Sequence, residues 1–103
     1  MLEGIQNVAN FTSGQTFDEF NKDEKTKFAV LRVLAVLGEA ANRLPKELKE
    51  QYPEVEWGRI IRSRNVIIYD YEVIDYNVIW RIASVHLPIL KISLEKIFTR
   101  LDS

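Results

Sequence analysis

Apolar residues recur along this chain at helical spacing, and no stretch alternates as a strand would. In "MLEGIQNVANF" they fall at Leu2, Ile5, Val8 (or Ala9) and Phe11, which predicts a short first helix broken by Ser13-Gly14. It lacks an obvious N-cap, as if its natural start lay upstream. The strongest pattern lies within "TFDEFNKDEKTKFAVLRVLAVLGEAANRL". Asn21 or Asp23 can cap that helix, and Asp23 and Glu24 complement the positive end of its dipole. From Phe28 to Leu44 nearly every turn is apolar on two sides, at Phe28, Leu31, Leu34, Ala35, Leu37 and Ala41. Such a helix is packed by neighbours on more than one side. Leu44-Pro45 ends it, because the residue before a proline is pushed out of helical geometry.

"KELKEQY" reads as a short helix with Pro45 at its first position, closed by Pro53. "VEWGRIIRSRNVIIY" is the next, with Trp57, Ile61, Arg64, Ile68 and Tyr71 on one stripe. A last helix runs from about Asp75 to Leu101, with Ile79, Ile82, His86, Leu90, Ile97 and Leu101 as its stripe. Pro88 inside it is expected to cause a kink by removing the bond to residue 84. The expected fold is all-α, an up-and-down bundle of four to five helices.

Composition narrows the chemistry. At 103 residues the chain is expected to form one domain, 1–103, with a modest core. Its net charge of -1 excludes a polycation, so any nucleic-acid contact has to come from a local basic cluster. The absence of cysteine excludes disulfides, thiolate metal sites and a cysteine nucleophile. A single histidine argues against a histidine-built zinc site, so neither metal nor cofactor is expected. No signal peptide or membrane-length apolar run occurs, which makes the cytoplasm the default compartment and leaves no membrane partner.

Several residues stand out. Arg64 lies seven residues from both Trp57 and Tyr71, which would put all three on one helical face. An arginine there must be paired, line a cleft, meet a partner subunit, or snorkel at the rim of the core. "YDYEVIDY" sets Tyr69 and Tyr71 among acids where that helix ends, a place where tyrosines commonly anchor loops. Arg59, Arg62 and Arg64, with Arg32, Arg43 and Arg81 elsewhere, can supply guanidinium contacts to phosphate, although a solvated helix face is the usual explanation of such spacing. His86 falls on the apolar stripe beside Pro88 and is read as a core-edge residue, not a catalyst. Glu39, inside a heavily apolar helix, is read as a buried polar anchor able to pair with an arginine across the bundle.

Residues 28 to 98 resemble the HepT-like branch of the HEPN ribonuclease superfamily. The resemblance rests on "AVLRVLAVLGEAANRLPKEL", "YPEVEWGRIIRSRN" and "DYNVIWRIASVHLPIL", in that order. It implies that a few residues of the usual first helix are missing upstream of Met1. The superfamily motif is an arginine, four to six residues often beginning with asparagine, then His-x-Tyr. Arg64, Asn65 and Tyr71 match it, and Tyr69 stands where the histidine belongs.

The resemblance implies a homodimer that brings two motifs into one cleft and cuts RNA without a metal. Its histidine would help activate the ribose 2′-hydroxyl and its arginine would steady the phosphate, with Arg59 and Arg62 as further RNA contacts. The resemblance also implies a toxin encoded beside an MntA-like minimal nucleotidyltransferase antitoxin, which transfers AMP to the motif tyrosine, here Tyr71. The acidic run Asp70, Glu72 and Asp75 would guide that metal-dependent partner. With Tyr69 in the histidine's place, weak or absent cleavage is expected. Two rival readings are a non-catalytic helical dimer that binds the nucleotidyltransferase, and a plain structural dimer.

Overall fold

A computed structural model describes residues 1–102. In chain order it contains α1 (Leu2–Thr12), α2 (Phe17–Lys22), α3 (Glu24–Arg43), α4 (Lys46–Gln51) and α5 (Trp57–Tyr69). A 3-10 turn (Tyr71–Val73) follows, and α6 (Tyr76–Arg81) runs through a π turn (Ile82–His86) into α7 (Leu87–Asp102). No strand occurs among the described residues, and all five anticipated helices are present.

The central element is α3, which packs against α1, α2 and above all α5. Val8 of α1, Phe20 of α2, Val30 and Leu37 of α3 and Leu94 of α7 are buried almost completely and form the middle of the core. The connector after α4 is tied inward, with the Trp57 indole donating to the Tyr52 carbonyl at 3.1 Å and Val55 buried beside it. Lys49 Nζ donates to the Ala41 carbonyl at 3.2 Å, satisfying an acceptor at the C-terminal end of α3. Pro45 takes the position just before α4.

Helix α2 was hidden in the pattern because it merges with α3 by composition. Its start is a capping box: Glu19 N donates to Thr16 Oγ1 at 3.2 Å, and Thr16 N donates to Glu19 Oε1 at 2.9 Å. It docks through Phe20, whose ring centroid lies 5.0 Å from that of Trp80. Asp23, not Asn21, caps α3, accepting from Thr26 N at 3.1 Å and from Thr26 Oγ1 at 2.6 Å. Those bonds from Thr26, with another from Gln15, hold the Asp23 carboxyl below its usual range. Its contribution to stability is therefore complete above the unfolded value of about 3.9 and is lost as the pH falls through the folded value. Below about pH 4, thermal melting of Asp23→Asn is expected to decline less steeply with pH than that of the unaltered chain; identical declines would count against the cap as the titrating group.

The last helix departs from expectation. Proline at 88 has no N–H to give residue 84, and the chain accommodates this with a π turn, in which Leu87 N donates to the Ile82 carbonyl. The turn shifts the helical phase. The buried stripe is Ile79, Ala83, Leu87, Leu94 and Ile97, with Ile82 and Leu90 half-buried and Leu101 exposed. His86 is correspondingly exposed and leaves the core edge assigned to it.

Candidate functional site

The close approach of α3 and α5 builds the site. Gly38 of α3 lies directly against α5: a Cβ there would sit 2.2 Å from Arg64 Cβ and 3.0 Å from the Ile60 carbonyl oxygen. A glycine inside the strongest helix costs intrinsic helix stability, and this contact is its packing reason. One residue on, Glu39 Oε2 accepts from Arg64 Nη1 at 2.6 Å, linking positions 25 apart in sequence. The other carboxylate oxygen accepts from Arg43 Nε at 3.0 Å. The Arg64 side chain is only 17% exposed, whereas Glu39 is 40% exposed, so the pair opens to solvent on its acidic side. Arg64 Nε is buried and has no acceptor among the described residues, so its fork of donors is only partly used.

Downstream of Arg64, Asn65 is half-buried and Tyr69, the last residue of α5, is 75% exposed. The shared face expected for Trp57, Arg64 and Tyr71 does not form. Asp70 leaves helical geometry (φ -128, ψ 41), which places Tyr71 in the 3-10 turn and off the α5 stripe. Ile68, drawn on the same stripe, is likewise half exposed. The Tyr71 ring is half exposed, and its hydroxyl neighbours Tyr76. Burial, hydrogen bonding with Tyr71, and the Tyr71 and Glu24 charges hold the Tyr76 phenol above its usual range. Lys27 supports this corner from below, with Nζ 4.3 Å from the Tyr76 ring centroid. Val66, Ile68, Tyr69, Tyr71 and Val73 together make the end of α5 and its following turn an exposed apolar and aromatic surface.

Two depressions flank α5. One, of about 220 Å³, is an apolar cleft between α3, α5 and α7, with Arg59, Ser63 and His86 among its lining. Arg59 is engaged there by Glu56 at 2.9 Å, and Arg62 is exposed. The other, an open groove of about 540 Å³, runs along α3 beside Arg32, Val36, Glu39 and Arg43 and is closed on the α5 side by Ile68. Among the described residues no group of three or more His, Cys, Asp or Glu side chains could hold a metal ion. No described helix is long and apolar enough to cross a membrane. The one site residue without a sequence-level argument was Gly38, although an isolated glycine in so strong a helix was itself a signal of close packing.

The arrangement fixes an arginine at the meeting of two helices and presents tyrosines at the exposed end of one of them. The family described as Ribonuclease HepT-like matches residues 1–97. The chain belongs to the HepT-like ribonuclease family. A Methanocaldococcus jannaschii protein named "Putative RNase MJ0127" is 42% identical over 88 residues, covering 85% of this chain and 73% of that protein. "Probable ribonuclease HepT" of Thermococcus cleftensis is 36% identical over 97 residues, covering 94% of this chain and 88% of its own. No solved structure gives a significant match. The all-helical fold of this HepT-like chain agrees with that membership; Arg64, Asn65 and Tyr69 lie on α5, and Tyr71 lies in the turn behind it.

Proposed function

We propose that this chain is the toxin of a HepT/MntA-type pair: a metal-independent endoribonuclease of HEPN type, impaired by Tyr69 in its present form. The observation that carries the reading is Arg64, locked to Glu39 across the α3–α5 contact and followed at motif spacing by Asn65, Tyr69 and Tyr71. A guanidinium held by one carboxylate is prepositioned for a phosphate oxygen at little entropic cost. In the complete motif a histidine at position 69 takes the proton of the ribose 2′-hydroxyl. The 2′-oxygen then bonds to the adjacent phosphorus, the bond to the 5′-oxygen breaks, and that oxygen leaves with a proton. Arg64 stabilises the charge that gathers on the phosphate, and Asn65 and Tyr71 complete the constellation.

The active unit is a homodimer, with the exposed surface at the end of α5 lining a cleft shared by two copies. Exposed apolar residues clustered in this way mark an interaction surface. Arg59 and Arg62 supply outer phosphate contacts on the RNA, whether transfer or messenger. The MntA-like nucleotidyltransferase silences the site by placing AMP on Tyr71, whose half-exposed ring is open to a partner. The added negative charge and bulk would occupy the space of the substrate phosphate. The compartment is the cytoplasm.

Tyr69 also favours a second reading, a non-catalytic helical dimer that keeps only the nucleotidyltransferase contact. Induced expression of Tyr69→His separates the two. Growth arrest by that variant alone supports the toxin, and growth equal to that of the unaltered chain supports the binding module.

A further inference from the structure

The groove along α3 has no role in the motif, yet the motif arginine opens into it through Glu39. Arg32, Val36, Glu39 and Arg43 stand at helical intervals on one stripe of α3, and Ile68 closes the opposite wall. Arg43 and Arg64 share the Glu39 carboxylate and Arg32 lines the same groove, so three guanidiniums face one carboxylate along this stripe, a local excess of positive charge in a chain whose net charge is -1. Arg32 has no ion-pair or hydrogen-bond partner among the described residues, unlike Arg43 and Arg64, which share Glu39. The wall between these cations is apolar, with Val36 and Ile68 each about half exposed. One turn before Arg32, Phe28 is also half exposed and extends the stripe with an aromatic face.

Cations along a groove with apolar and aromatic surface between them match a single-stranded nucleic acid. Its backbone supplies regularly spaced anions, and its bases seek flat apolar surface. We propose that single-stranded RNA lies along this α3 groove, with Arg32 and Arg43 binding backbone phosphates on the approach to Arg64. The inference rests on the ribonuclease reading for the identity of the ligand. It adds to that reading a path for the strand and two phosphate-binding residues on α3. Arg43 also belongs to the Glu39 cluster, so Arg32 is the cleaner probe. Its side chain is exposed and makes no ion pair or hydrogen bond among the described residues, so its replacement is expected to leave the fold intact.

The test is binding of a labelled single-stranded oligouridine to the full chain across a series of salt concentrations, with Tyr69 unaltered so that binding is read without cleavage. Arg32→Gln is expected to weaken binding about tenfold, as for loss of one charge-assisted contact. The slope of log affinity against log salt should flatten by about 0.7, the share of one phosphate in a single strand. Arg81→Gln makes the same change in net charge on α6 and is expected to alter neither quantity.

The proposal is overturned if the unaltered chain binds no oligouridine, or if Arg32→Gln matches it in affinity and slope. It also falls if Arg81→Gln loses as much, or if polyglutamate displaces the RNA as well as unlabelled oligouridine does. Its failure is distinct from failure of the nuclease reading. Cleavage by Tyr69→His that is indifferent to Arg32→Gln removes the groove and keeps the nuclease. Loss of binding in Arg32→Gln, with no variant able to cut, keeps the groove and removes the nuclease.

Discussion

Purified Tyr69→His is expected to cleave RNA about a hundred to ten thousand times faster than the unaltered chain, in buffer without divalent metal, the usual worth of a general base. A phenol, with an ordinary value of about 10, holds its proton at neutral pH and accepts another poorly, whereas imidazole titrates near 6.5. The substitution is structurally mild, because the Tyr69 side chain is 75% exposed at the last residue of α5 and little packing is lost with it. Adding Arg64→Ala should return cleavage to the baseline, since the developing charge on phosphate then loses its guanidinium. Circular dichroism on the double variant checks that the helices persist. RNA left intact by Tyr69→His at every concentration tried would sink the catalytic reading. Cleavage that survived Arg64→Ala would place the active site elsewhere.

Gly38→Ala is expected to lower the melting temperature of the chain by about 8 to 16 °C, the equivalent of about 2 kcal/mol in a domain of this size. Two effects oppose each other. Alanine favours the helix by about 1 kcal/mol over glycine. Against this, the new methyl would lie 2.2 Å from Arg64 Cβ, where carbon atoms rest about 3.5 to 4 Å apart. The near atom belongs to the root of a side chain and cannot swing aside, so α5 itself has to retreat. Overpacking of that kind commonly costs about 1 to 3 kcal/mol, and a clash this deep lies at or beyond the upper end. Retreat of α5 also stretches the Arg64–Glu39 contact, so Gly38→Ala in the Tyr69→His background should cut RNA more slowly than Tyr69→His alone. A melting temperature that held or rose would show that the helices do not approach so closely in solution.

Much of this was readable from local chemistry. The end of α3 at Leu44, the break after Ser13 and the extent of α5 follow from proline, glycine and apolar spacing, which act over a few residues. The partnership of Glu39 with an arginine across the bundle was one of the roles open to a carboxylate in so apolar a helix, but its expected burial was not met, because the side chain is 40% exposed where the pair opens to solvent. The features that escaped depend on departures from regular geometry. Tyr71 lies seven residues from Arg64 and would share its face in an unbroken helix, but Asp70 turns the backbone aside one residue earlier. His86 was misplaced because its predicted burial assumed a uniform helix through Pro88. Helix α2 went unseen for a third reason. Thr16 and Glu19 carry a legible capping signal, but the polar run that follows merges into the start of α3. The crowding at Gly38 needs the partner helix to be known.

The π turn has a consequence for how this sequence can vary. Residues 82 to 86 hold one more residue in a turn than an α-helix would, so deleting any one of them would restore regular winding. Leu87 N would keep the Ile82 carbonyl as its acceptor, now four residues back, so the helix after it would keep its phase. Leu87, Leu94 and Ile97 would stay in the core, and the cost would fall on Pro88, which would face a carbonyl that it cannot satisfy. In this stretch the chain can lose a residue and keep the core register, whereas a deletion in the regular helix on either side would rotate the residues beyond it by about 100°. Ser84, Val85 and His86 all face solvent and are open to substitution as well.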